Sequence, residues 1–551
     1  MVFLPRTMTF YSRSLVILLA VTLLCRSADS TSRLRTVHKA GRVAYHRRQY
    51  DNDKQKEIEQ LSFDDPVKAT DMVLQMPNLD DNGGHTFAHN DPIVKSDDPT
   101  GDSSQVPWFE GEEFKGPPNV QNDPNQDKLS WKFIPQEFGL FPGLGFKLNN
   151  DIQINAPDNH PANVEKVVQP LWVSDPYDRE KIERAVIVWP GKPRDSWKYV
   201  SLMANALNHM YTLGPGAGLT NGSVLLVAPL ILNEYDRQAG GADGANGTWA
   251  VYHGSAWQRG GMTQFPEMEH KVSMYRAMDI VINWLMNQDN FPHLNQVVIA
   301  GHSMGGQATV RYAYMKKTKK YDDNISYWVG NPGSWVWLKR SNESAGRPTD
   351  QSEWGDCKDE VDTWPYGIYN FTNMGYGKDA QQDPDMAIAR FRQRRIHYAL
   401  GLLDNGEGDS HCQAKSQGHN HLQRGANFVK MLSEMEGGFP PNHTVTYAAR
   451  ISHQDYPMMA LNSSLEFIFK NNFGTRFPDR TKHHHHHDDD DDSGMGEGPN
   501  DFVYRTVAWV LMVAFILAII LSFFLFSRLF TERSNAWDRD YWEGDSKRRL
   551  L

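Results

Sequence analysis

Gly301, His302, Ser303, Met304 and Gly305 stand directly after the apolar run 296–300 and open a helix-like stretch, 306–320. A Gly-x-Ser-x-Gly in that setting predicts a nucleophile elbow, a tight strand-to-helix turn that holds a serine hydroxyl clear of the backbone. The two glycines flank a strained turn and let the helix approach the strand where a Cβ would clash. Small residues recur by chance, so it is the strand before and the helix after that give the motif its meaning. The bland alternative is a structural glycine turn.

A serine hydroxyl is a weak nucleophile and needs a base, which in turn needs an orienting carboxylate. One established chain order is Ser, then Asp or Glu, then His. Downstream of Ser303, the strand-like stretch 397–403 runs straight into Asp404, where an orienting acid belongs. Asp409, five residues on in the same Gly-rich loop, is the competing acid. The stretch 444–452 leads directly into His453, the favoured base; His411, His419 and His421 sit in a polar loop after the acid, and His302 lies inside the elbow, where it packs locally. A tetrahedral intermediate needs backbone N–H donors. Met304, the residue after the serine, supplies one; the turn after 185–189 supplies the other, and because Pro193 has no N–H, Lys192 is the candidate, with Gly191 giving room.

These residues need a scaffold. Runs 185–189, 224–227, 297–300, 326–329, 397–403 and 445–451 read as strands, most of them nearly continuously apolar, as in strands covered on both faces. Met274, Met278, Val281 and Leu285 form a helical stripe between 257 and 296. Such alternation predicts an α/β domain over 131–477 with a mainly parallel sheet and helices on both faces. A Gly/Trp-rich insertion, 232–264, is the expected cap over the site.

The elbow Gly301–Gly306 resembles that of lipase- and esterase-type members of the α/β-hydrolase superfamily. Together with the stretches 298–307, 329–334 and 401–418, the pattern over about 184–469 is similar to secreted or membrane-tethered fungal hydrolases of that superfamily. The resemblance implies the α/β-hydrolase fold, a Ser303–Asp404–His453 triad, ester hydrolysis without a metal or other cofactor, and no particular substrate. Pro190-Gly191 departs from the commoner His-Gly early loop, which leaves the second oxyanion donor open. A serine at the elbow argues against an epoxide or haloalkane hydrolase, which would carry a carboxylate there. Deacylation of membrane glycolipids is an alternative within the class. A non-catalytic adhesion or interaction protein that keeps the fold is the rival from outside it, and neither Ser303 nor His453 is missing.

Both ends of the 551-residue chain are specialised. Residues 1–30 have the layout of a secretory signal peptide, with Arg6 and Arg13 before an apolar run and small residues at its close. Thr506 to Ser527 is 22 uncharged residues, long enough for one C-terminal transmembrane helix. Acidic residues precede it and Arg528, Arg533, Arg539, Lys547, Arg548 and Arg549 follow, so the tail 528–551 should be cytosolic and the hydrolase luminal or extracellular. Residues 31–130 are polar and read as a mostly disordered spacer or pro-segment. The tract 478–505, with five histidines then five aspartates, reads as a solvated juxtamembrane linker rather than a metal site.

Export also fits the cysteines. Cys25 falls in the leader, which leaves Cys357 and Cys412 as one disulfide. Candidate N-glycosylation sequons start at Asn221, Asn246, Asn324, Asn342, Asn370, Asn442 and Asn462. A net charge of −10 without a long basic stripe argues against a nucleic-acid partner; a membrane and an ester or lipid substrate are the expected partners.

Overall fold

The computed structural model describes residues 52–76, 145–155, 166–212, 219–238, 249–268, 270–371 and 375–471. The leader, the segment 506–527 and the His/Asp tract lie outside these residues. Among the described residues no helix is long and apolar enough to cross a membrane.

Among the described residues the strands are β1 Gly145–Asn149, β2 Leu171–Asp175, β3 Arg184–Trp189, β4 Val224–Pro229, β5 Leu232–Asn233, β6 Val251–Tyr252, β7 Thr263–Phe265, β8 Gln296–His302, β9 Ile325–Gly330, β10 Arg395–Gly401 and β11 His443–Ala448. Eight of them form one sheet in the order β1-β2-β4-β3-β8-β9-β10-β11. The pairs from β4 through β11 are parallel, while β2 runs antiparallel to both β1 and β4. All six expected strands are present, with ends that differ by up to three residues.

Alternation along the strands builds a core on each face. Ala185, Ile187, Val297, Ile299, Tyr327 and Val329 join one cluster, whereas Val186, Val188, Val298, Ala300 and Trp328 join the other. The first face is covered by helices α4 Met274–Leu285, α5 Met304–Met315 and α6 His421–Glu434, the second by α3 Ser196–Thr212 and the C-terminal stretch through Phe469. The expected stripe on α4 is buried in full: Met274, Met278, Val281 and Leu285 show no exposed surface. Ser273 caps that helix by accepting the Tyr275 N–H at 3.2 Å.

Chain direction across the sheet reverses beside β3. From β3 the chain moves outward to β4 and returns on the other side of β3 as β8, with Trp189 opposite Gly301. Such a switch point opens a crevice at the carboxyl ends of the strands. The insertion at 232–264 holds β5, β6 and most of β7, a separate three-stranded sheet.

The N-terminal spacer is corrected in part. Residues within the expected disordered segment 31–130 form α1 Asn52–Asp64 and α2 Pro66–Leu74, whose Ile58, Ala69 and Val73 are fully buried in the main core. Asp65 caps α2 through the Lys68 N–H at 3.0 Å, and Thr70 Oγ1 lies 2.6 Å from Tyr447 Oη on β11. The pair covers the exposed edge of the sheet. Eight Lys, Glu, Gln and Asp residues in thirteen on α1 hide its short apolar stripe from a composition reading.

Candidate active site

Ser303 occupies the turn between β8 and α5 with φ 59° and ψ −122°. A non-glycine residue held there stores on the order of 1–3 kcal/mol of backbone strain. The turn is held by the Ser303 N–H donating to Gly330 O at 2.9 Å and the Gln307 N–H donating to Ser303 O at 3.1 Å. Gly305 is dictated by packing: a Cβ would lie 2.7 Å from Pro190 O and 2.8 Å from Trp189 O. The start of α5 thus rests on the strand end that leads into the early loop, bringing Met304 beside that loop. Lys192 is exposed in a turn closed by the Arg194 N–H donating to Gly191 O at 3.1 Å.

Asp404 follows β10 and His453 follows β11. His453 Nδ1 donates to Asp404 Oδ2 at 2.8 Å, with both residues buried. Burial alone would raise the Asp404 carboxyl; His421 and His453 together outweigh it and hold it well below the usual range. The rings of His302 and His453 lie 4.8 Å apart, so the serine turn and the His–Asp pair share one end of the sheet.

Asp409, the competing acid, is engaged elsewhere. Its Oδ2 accepts from Ser334 Oγ at 2.8 Å and from Tyr366 Oη at 3.0 Å, and its Oδ1 meets both the backbone N–H and Nδ1 of His411. Burial opposes ionisation here too, and the bonds from His411 and Ser334 overcome it. In the elbow, His302 Nδ1 lies 2.7 Å from Asp455 Oδ1, an acid that also accepts from Tyr199 Oη at 2.9 Å and Lys198 Nζ at 2.8 Å. Asp404, His421 and His453 place three potential metal-ligand atoms within 4.8 Å. Each imidazole Nδ1 faces a hydrogen-bond acceptor, however, and that geometry suits a proton-handling pair.

Asn331 is a member that sequence reading missed. With φ 39°, it accepts the Gly401 N–H on Oδ1 at 2.8 Å and donates from Nδ2 to Ser452 O at 3.0 Å. One side chain therefore ties β9, the end of β10 and the loop bearing His453. The Gly330-Asn331-Pro332-Gly333 run after a strand was its available signal.

Cys357 and Cys412 are joined, their Cα atoms 6.1 Å apart, which anchors the loop that follows Asp404. Asn221, Asn342, Asn370, Asn442 and Asn462 are exposed, and Asn246 lies outside the described residues. Asn324 is the exception: it is buried, and its Nδ2 donates to Asn295 O at 2.6 Å. Its burial sets it apart from the exposed sequons.

No family model matches the sequence, and no curated protein matches it. Solved structures similar to the chain include LpqC, a poly(3-hydroxybutyrate) depolymerase from Bordetella parapertussis, at 17% identity and a TM-score of 0.37 over 62% of this chain and 92% of that one. An S-formylglutathione hydrolase from Agrobacterium tumefaciens is 14% identical with a TM-score of 0.33, over 60% of this chain and 98% of that one. Esterase Est22 is 13% identical with a TM-score of 0.30, over 59% and 79%.

Proposed function

We propose that the chain is a serine hydrolase of carboxylic esters, built on an α/β-hydrolase fold and tethered by one C-terminal helix with its hydrolase domain luminal or extracellular. The observation that supports it most is the conjunction at one sheet end of a positive-φ serine on a strand-to-helix turn and a buried Asp404–His453 hydrogen bond. His453 takes the Ser303 proton as Oγ bonds to the acyl carbon, and Asp404 stabilises the imidazolium. The ester C–O bond then breaks and the alcohol leaves with the proton from His453. Water attacks the acyl-enzyme, gives a proton to His453, and the acid departs as Ser303 recovers its proton. The Met304 and Lys192 N–H groups are proposed to hold the oxyanion.

The uncharged stretch 506–527 and the basic tail after it support the tether. Protease added to sealed microsomes should remove only the final ~20 residues; digestion of the hydrolase domain in intact vesicles would overturn the orientation. Enzyme and adhesion protein separate on a fluorophosphonate probe followed by an ester panel of increasing acyl length. Labelling at Ser303 with turnover of at least one ester is expected, and no labelling would leave the adhesion reading.

A further inference from the structure

A second imidazole stands against the proposed acid. His421, the first residue of α6, is 2% exposed, and its ring centre lies 4.3 Å from that of His453. Its Nδ1 is 2.8 Å from Gly406 O and 3.3 Å from Asp404 Oδ1. A carbonyl oxygen only accepts, so this nitrogen carries a proton, which fixes the tautomer. The backbone follows the same loop: the His421 N–H donates to Gly406 O at 3.1 Å and the Leu422 N–H to Asp404 O at 3.0 Å. Gly408, with φ +67°, presses on the imidazole so closely that a Cβ would lie 2.6 Å from ring atoms.

We propose that His421 is a positioning residue of the acid: its Nδ1–H shares the Asp404 charge with His453 and so limits how strongly Asp404 stabilises the His453 imidazolium. This rests on the triad reading above. A fully buried carboxylate facing a single donor would direct its whole field at that donor. Here Oδ2 takes the His453 N–H from the loop after β11, while Oδ1 lies 3.3 Å from His421 Nδ1 at the start of α6, whose proton is shared with the nearer Gly406 O. Arg424 and Asp404 are the other charged groups acting on His421. His453 is faced by Asp404, His421 and the ring of His302, behind which Asp455 is paired with Lys198. Burial pushes the His421 imidazolium down, in keeping with a neutral N–H donor.

His421→Phe keeps a ring and removes the donor; His421→Asn keeps an N–H near the Nδ1 position. Fluorophosphonate labelling rates of the full chain, in detergent, from pH 5 to 9 separate the roles, because a base must be neutral to act and the acid limb reports its protonation. The Phe variant should move its acid limb to higher pH by about half to one unit, costing about three- to tenfold in rate at low pH. The Asn variant should keep the parental limb. A Phe limb that coincides with the parent, or equal plateau losses in both variants with unmoved limbs, would reduce His421 to packing and overturn the proposal. Should the Phe variant fail to fold, His421→Gln, whose N–H reaches the Nε2 position instead, takes its place with the same expectation. An unlabelled parent chain would instead defeat the triad reading itself.

Discussion

Asp404 Oδ2 and His453 Nδ1 meet at 2.8 Å across 49 residues of chain, joined by the parallel pairing of β10 with β11 that sets Gly401 opposite Ala448. Each residue leaves its strand at the same sheet end, so register alone brings them close. Asp404→Asn should lower kcat by about 10³–10⁴-fold, because an amide selects the wrong imidazole tautomer. Asp409→Asn should chiefly cost stability, since its partners are Ser334, Tyr366 and His411. Steady-state kinetics paired with thermal melts checks both; equal mild kinetic losses would reject the distinction.

Acid sensitivity should come partly from two histidines far from the chemistry. Burial pushes His397 and His443 down to about 3. An unfolded histidine titrates near 6.5, so between those values the unfolded chain binds protons that the folded chain refuses. Stability should therefore fall as pH drops from about 6.5 toward 3, by at most about 1.4 kcal/mol per pH unit for each histidine. Denaturation midpoints against pH should flatten in His397→Asn, which keeps a polar group near Thr444 Oγ1, the partner of His397 Nδ1 at 2.8 Å. Parallel curves would contradict this.

Reduction should loosen the acid loop. The Cys357–Cys412 bridge closes 55 residues, for which chain entropy gives roughly 4 kcal/mol as an upper figure. The Cys357→Ser, Cys412→Ser double variant should melt several degrees lower and lose turnover before it loses secondary structure. An unchanged melt, with and without reductant, would show that the bridge does not hold the loop.

The N-terminal hairpin should behave as part of the catalytic domain. Gln55 Oε1 accepts the Arg450 N–H at 2.7 Å, three residues before His453, and Lys430 Nζ pairs with Asp71 at 2.9 Å. Ile58→Ala should cost about 2–5 kcal/mol as a fully buried large-to-small change. An Ile58→Ala chain with the parental urea midpoint would return α1 to the status of a dispensable spacer.

What could be read beforehand depended on how local its cause was. The elbow is local: glycine spacing, an apolar strand and a helix start lie within twenty residues, and Ser303 sits at the turn they define. The central parallel strands were legible because burial on both faces makes them continuously apolar. β1 and β2 were not, since Gly145–Asn149 mixes Lys147 and Asn149 into an edge strand with weak alternation. The choice between Asp404 and Asp409 turned on strand-end position, but the reason Asp409 is unavailable lies in Ser334 and Tyr366, which are remote in sequence. His421 looked like one of several loop histidines; only the folding of α6 back onto Gly406 brings it to the acid. Asn324 matched a sequon, and nothing local revealed that the fold would bury it against the Asn295 carbonyl.

Ser303→Ala offers the most direct measurement of the central claim. Purified full-length parent and variant should give matching circular dichroism and thermal midpoints, because removing one hydroxyl leaves the Gly330 and Gln307 backbone bonds in place. Ester hydrolysis should then fall by several orders of magnitude in the variant, and fluorophosphonate labelling should vanish. A folded Ser303→Ala chain that hydrolyses the same ester at the parental rate would contradict the account.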